Sequence, residues 1–220
     1  NFKRYFEKPA VTKISTNYRS VGTIVDAGAD LIKNNTSCQI QKSTISNRKE
    51  GTMIKVLKSP HRSSYEVRYH EQTATDCLNR VIEYLQRGYA PEDILILSRF
   101  MRTHTHRAPR FHQIVRTFLI NAREMGIRIA CDNAKARNKI RLLTVHKSKG
   151  LEARVVFILN VIQDLYGFPC GIEDPAIYAP ARENYPLQDH IEEERRLFYV
   201  AMTRAKEDLI IYTWEHAKSG

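Results

Sequence analysis

Residues 142–150 read LLTVHKSKG, and LEARVVFIL follows at once. A polar loop holding one histidine and two lysines is thus pinned between two apolar runs. Thr144, His146, Lys147, Ser148, Lys149 and Gly150 offer hydroxyls, cations and backbone amides at the end of a strand, a set suited to gripping phosphates. Glu152 is the one acid between residues 133 and 163. It serves either as counter-ion to these cations or as an acceptor for sugar hydroxyls, as acids do in dinucleotide folds.

Two further segments carry chemistry. In STNYRS (15–20), Asn17 or Ser20 fits a helix cap, whereas Tyr18 and Arg19 are poor turn residues. The tyrosine supplies a flat face for a base and the arginine a fork for phosphate. In EEERRLFYVAMTRAKEDLII (192–211), Asp189, Glu192, Glu193 and Glu194 gather where the macrodipole of a helix start favours acids. Leu197, Phe198, Val200, Ala201, Met202 and Ala205 form one apolar face of that helix, with Arg204 on its edge. Such an arginine either snorkels to water or reaches an anion on a partner. Arg195 and Arg196 are expected to pair with the neighbouring glutamates.

The elements that must position these groups follow from periodicity. Strands are expected at 11–15, 52–58, 94–97, 127–130, 140–145, 154–161 and 208–213, and helices at 20–34, 66–87, 111–125 and 191–206. The nearly continuous apolar run RVVFILNV is what a strand covered on both faces requires. Residues 163–190 hold four of the eight prolines and read as an ordered loop. Strands alternating with helices of crossover length imply an α/β layer fold with a mainly parallel sheet, whose ligands are expected at the carboxyl ends of the strands.

Composition narrows the function classes. The 42% hydrophobic content is enough for a real core, and no run of some 18 apolar residues argues for a membrane span. Cys38, Cys77, Cys131 and Cys170 form no CxxC, which fits reduced thiols in a cytoplasmic protein better than disulfides or a metal site. Charge is divided: residues 1–150 hold 28 Lys and Arg against 12 Asp and Glu, whereas residues 151–220 hold 7 against 12. Residues 99–149 carry 13 basic residues opposed only by Glu124 and Asp132, the footprint of either a solubilising surface or a polyanion-binding face.

In their order along the chain, NYRS, TVHKSKGLE and EEERRLFYVAMTRAKE closely resemble motifs IV, V and VI of the superfamily 1 DNA helicases of the UvrD/Rep/PcrA type. ILILSR (94–99) resembles the short strand motif that lies between IV and V, and YGFPCGIEDPAI is more similar to the helicase IV branch. The resemblance spans residues 11 to 213 and implies a RecA-like three-layer α/β/α domain, the second motor domain of such an enzyme. It implies that Tyr18 stacks on adenine, Arg19 meets the γ-phosphate, Gly150 and Glu152 serve the nucleotide, with Glu152 on the ribose, and Arg204 is the arginine finger. It implies further that Thr144 and His146 touch the DNA backbone, with Lys147, Lys149 and Arg99 as weaker contacts. The partners so implied are single-stranded DNA, duplex junctions and an N-terminal motor domain in cis, and the cofactor is ATP with Mg²⁺.

Two departures qualify this. No GxxxxGK[ST] occurs in the chain, so Mg²⁺ and the β-phosphate are expected to be held by the other motor domain, and this chain alone is not expected to hydrolyse ATP. The chain opens on Asn1 rather than methionine, so it is expected to be a fragment or a processed product. Only 44 residues separate Arg99 from Thr144, where Rep-like members carry a large helical insertion, so residues 99–140 are expected to be its reduced remnant within a single domain spanning 1–220. The alternatives are a stand-alone nucleic-acid-binding module and a helicase–nuclease.

Overall fold

The computed structural model describes residues 12, 14–36, 43–48, 54–60, 66–103, 110–164, 166–171 and 188–215. Six strands form one parallel sheet: β3 (Lys55–Pro60), β4 (Ile94–Ser98), β7 (Ile129–Cys131), β8 (Ile140–Thr144), β9 (Ala153–Ile158) and β10 (Ala205–Glu215), in the spatial order β3-β10-β9-β4-β8-β7. Helices α2 (Glu66–Gln86) and α3 (Gln113–Glu124) lie over one face, and α1 (Gly22–Ile32) and α4 (Gln188–Met202) over the other. This is a three-layer α/β/α architecture with the parallel sheet that the strand–helix alternation implies, in keeping with the RecA-like fold that the motif resemblance implies.

The central strands explain their own sequence. In β4, Ile94 and Ile96 enter the core beneath α2 and α3, while Leu95 and Leu97 enter the core beneath α1 and α4. In β9, Val155 and Phe157 point one way, and Val156 and Ile158 the other. Side chains alternate along a strand, so a strand with helices on both faces must be apolar at every position. Breaking one such position leaves a cavity costing about 2–5 kcal/mol for a leucine or isoleucine cut to alanine.

Several boundaries differ from those read from the sequence. The strand expected at 11–15 is instead β1 (Thr16–Val21), so Tyr18 and Arg19 lie within a strand rather than in a loop. It pairs in parallel with β2 (Ile45–Arg48), which hydropathy does not mark, in a small separate sheet. Asn17 caps no helix: its Oδ1 accepts from the amides of Arg19 and Ser20, and Val21 stands at the N-cap of α1. The helix expected at 191–206 ends at Met202, which leaves Arg204 in the turn between α4 and β10 instead of on a helix edge. The strand expected at 127–130 begins two residues later, and β5 (Arg102–Thr103) and β6 (Arg110–Phe111) add an unanticipated antiparallel pair. Of the 163–190 loop, residue 165 and residues 172–187 lie outside the described residues, as does Cys38.

Candidate nucleotide and nucleic-acid site

The residues singled out in the sequence divide into two groups at opposite ends of the sheet, joined by the loop 145–152. The first lies at the amino ends of β9 and β10. Ala205 is in register with Ala153, and the Ala153 amide donates to the Arg204 carbonyl (3.0 Å), so Glu152 and Arg204 are neighbours across these strand starts. Strand β1 is brought alongside by Ser20, whose buried hydroxyl donates to the Ala205 carbonyl at 2.7 Å. Its neighbour Arg19 then reaches Glu152, Nε to Oε2, at 2.8 Å. Arg48 of β2 supports the same strand by donating to the Arg19 carbonyl at 3.1 Å.

Arg204 is mostly buried. Its Nε donates to the Val200 carbonyl (2.9 Å) and its Nη1 to the Leu151 carbonyl (3.0 Å). A guanidinium has five N–H donors, so these two bonds fix its plane and leave donors for an anion. Burial, and then the charge of nearby Arg19, hold its pKa below the ordinary value. Removing water and crowding like charges both raise the energy of a cation, and an incoming anion relieves both. Tyr18, next to Arg19, is 71% exposed and presents an open aromatic face. Gly150 has φ +83°, the left-handed region that favours glycine, so its part is to turn the loop.

This group therefore lies at the amino ends of its strands rather than at the carboxyl ends, and the physical reason lies in the loop. Residues 145–152 leave the carboxyl end of β8 and cross the face beneath α1 and α4, where Val145 is buried and Leu151 packs. They deliver Glu152 to the amino end of β9.

The second group does sit at the carboxyl ends of β4 and β8. Ser98 is paired with Thr144, and the Val145 amide donates to the Ser98 carbonyl. His146, Lys147 and Lys149 are exposed on the 3-10 turn His146–Ser148 and the residue after it. Partial loss of water around the ring, with the charges of Arg99 and Lys149 adding to it, lowers the pKa of His146. The ammonium of Lys147 lies on Asp132 at 2.5 Å.

Arg99 is placed differently from the expectation of a DNA contact. Its guanidinium makes a forked pair with Glu194 at 2.8–3.1 Å, with side chains only 15% and 6% exposed, and it lies over the Phe100 ring. Glu194 also accepts from the Cys170 amide. Glu192 and Glu194 of α4 are thus partners of other segments, beyond any interaction with the helix dipole. Glu192 takes the Thr36 amide and Arg196, whereas Arg195 turns to Asn35 and the Asn34 carbonyl rather than to a glutamate.

One residue of the first group is absent from the sequence reading. Lys206 places its Nζ 2.5 Å from Oε1 of Glu152. The available signal was strand alternation, since Arg204 and Lys206 are two residues apart at the start of β10.

Residues 120–216 match the model of the UvrD-like helicase C-terminal domain. A probable DNA helicase II homolog of Mycoplasma capricolum is 35% identical over 103 residues, covering 47% of this chain and 12% of that protein. The ATP-dependent DNA helicase PcrA of Staphylococcus epidermidis is 42% identical over 81 residues, covering 36% of this chain and 10% of its own length. The chain thus spans about a tenth of the length of these curated relatives. Among solved structures, the C-terminal domain of a possible DNA helicase from a Lactobacillus aligns over 90% of this chain and 88% of its own, with a TM-score of 0.48 and 14% identity. Arg204 and Glu152 both fall within the span that this family model matches.

Proposed function

We propose that the chain is the C-terminal motor domain of an ATP-dependent DNA helicase or translocase, supplying one wall of the nucleotide cleft and part of a single-stranded DNA track. The observation that carries this reading is the convergence of Arg19, Glu152 and Arg204 from three separate segments onto the amino ends of β9 and β10. In this reading Tyr18 stacks on adenine, Glu152 takes the ribose hydroxyls, Arg19 meets the γ-phosphate, and Arg204 stabilises the charge that develops as the phosphoryl group leaves. Arg19 and Arg204 are cationic and fit the phosphate chain better than a metal. Mg²⁺ would be held by the N-terminal motor domain, and this chain alone does not turn ATP over.

Thr144, His146, Lys147 and Lys149 then face the DNA backbone from the opposite end of the sheet, and the 145–152 loop carries the two functions on one covalent span. Arg99 acts from beneath, through Glu194. Residues 99–140 stand in for the helical insertion of Rep-like enzymes, with α3 and β7 built into the layers of the domain. The test is ATP hydrolysis by the full-length protein with and without single-stranded DNA. The expected result is strong stimulation by the DNA; unstimulated or absent turnover overturns the motor reading and leaves a binding module.

A further inference from the structure

We propose that Lys206 is a positioning residue of this nucleotide site, holding Glu152 in place while Arg19 leaves that carboxylate for the phosphate chain of a nucleoside triphosphate. The inference deepens the nucleotide reading above and rests on it. Glu152 is claimed by two cations from different parts of the fold. Arg19, on the small sheet, takes Oε2 at 2.8 Å, and Lys206, on the main sheet, takes Oε1 at 2.5 Å. The carboxylate therefore bridges β1 to β10, beside the Ser20–Ala205 hydrogen bond that joins the same two strands.

The pairs are suited to exchange. The Arg19, Glu152 and Lys206 side chains are 40%, 42% and 32% exposed, and an exposed ion pair is worth only about 0–1 kcal/mol. A triphosphate carries more negative charge and more acceptor oxygens than one carboxylate, so it competes successfully for Arg19. When Arg19 leaves, Lys206 holds Glu152 in place, ready to accept hydrogen bonds from a sugar. The hydrogen bond from Lys206 is the largest influence holding the Glu152 carboxyl below its ordinary pKa. Without Lys206 the carboxylate has Arg19 as its remaining partner in this cluster, and releasing Arg19 to a phosphate becomes harder.

The test compares variants of the full-length protein, with ATP and inorganic tripolyphosphate as probes in a binding competition. Lys206→Ala is expected to weaken both probes about two- to fivefold, the range that one exposed ion pair supports, and to raise KM for ATP with little change in kcat. Lys206→Arg restores binding. In a Glu152→Gln background, Lys206→Ala has no further effect, because the carboxylate it manages is gone. An equal loss in both backgrounds overturns the proposal, as does a loss confined to ATP with tripolyphosphate unchanged. If the unmodified protein binds ATP and only the variant pattern fails, the assignment of Lys206 is wrong and the nucleotide site stands. If the unmodified protein binds neither probe, the nucleotide reading itself has failed.

Discussion

Arg204 shows how a single side chain is made ready by its surroundings. The two carbonyl bonds fix the guanidinium plane, and burial beside Arg19 leaves the cation under-compensated. Arg204→Ala in the full-length protein is expected to reduce ATP turnover by about 10³–10⁵, with DNA binding retained. Steady-state hydrolysis and DNA-binding titrations check this, and turnover within tenfold of wild type removes the assignment. Lysine does not replace this group, because it lacks the planar fork that satisfies both carbonyls and an anion at once. Tyr18 makes a complementary case: it supports no core, so Tyr18→Ala should weaken ATP binding without lowering thermal stability.

At the scale of elements, buried polar contacts fix how helices sit on the sheet. Arg99, at the end of β4, and Glu194, in α4, form a pair whose acid also receives the Cys170 amide. Removing one partner of a buried pair strands the other charge, so Glu194→Ala is expected to cost about 3–5 kcal/mol, measured by chemical denaturation. His70 of α2 and His112, just before α3, meet edge to face with ring centroids 6.1 Å apart, and Nδ1 of each is buried without a hydrogen-bond partner among the described residues. Burial, then the His112 charge, pushes the His70 pKa down to about 4, with Asp164 opposing, and burial lowers that of His112 as well. The unfolded chain therefore binds more protons than the folded one between about pH 4 and 6.5, so stability is fully present above that window and is lost as pH falls through it. Melting temperature followed across this range should fall towards acid, and His70→Phe should flatten the slope.

Over the whole molecule the dominant feature is charge. Lys135, Arg137 and Lys139 are exposed on the segment that runs from the carboxyl end of β7 to the amino end of β8, and Lys147 and Lys149 are exposed beyond the carboxyl end of β8. Each phosphate neutralised by such a cation releases counter-ions, so binding of single-stranded DNA by the full-length protein should weaken linearly on a log–log plot against salt, with a slope of about −0.7 per contact. Replacing Lys135, Arg137 and Lys139 together by glutamate should make that slope shallower. An unchanged slope would mean that these residues serve solubility alone.

Much of this was legible in the amino-acid order. The apolar runs of β4 and β9 announce strands covered on both faces, and the spacing of α2 announces a helix along its whole length, because short-range periodicity directly reflects which face meets the core. The three charged motifs were legible for the same reason, being contiguous. What the sequence could not order was convergence. Arg19 and Glu152 are 133 residues apart, and Ser20 and Ala205 are 185 apart, yet each pair is in hydrogen-bonding contact. Which cation meets which acid depends on strand order and on the path of one loop across a sheet face. That path took Glu152 to the amino end of β9, turned Arg99 inward to Glu194 and left Lys206 beside Glu152. Local sequence determined the strands, the helices and the chemical groups available, whereas long-range packing alone decided which groups share a site, because contacts between distant segments are set by the burial of whole layers and not by the residues that happen to meet.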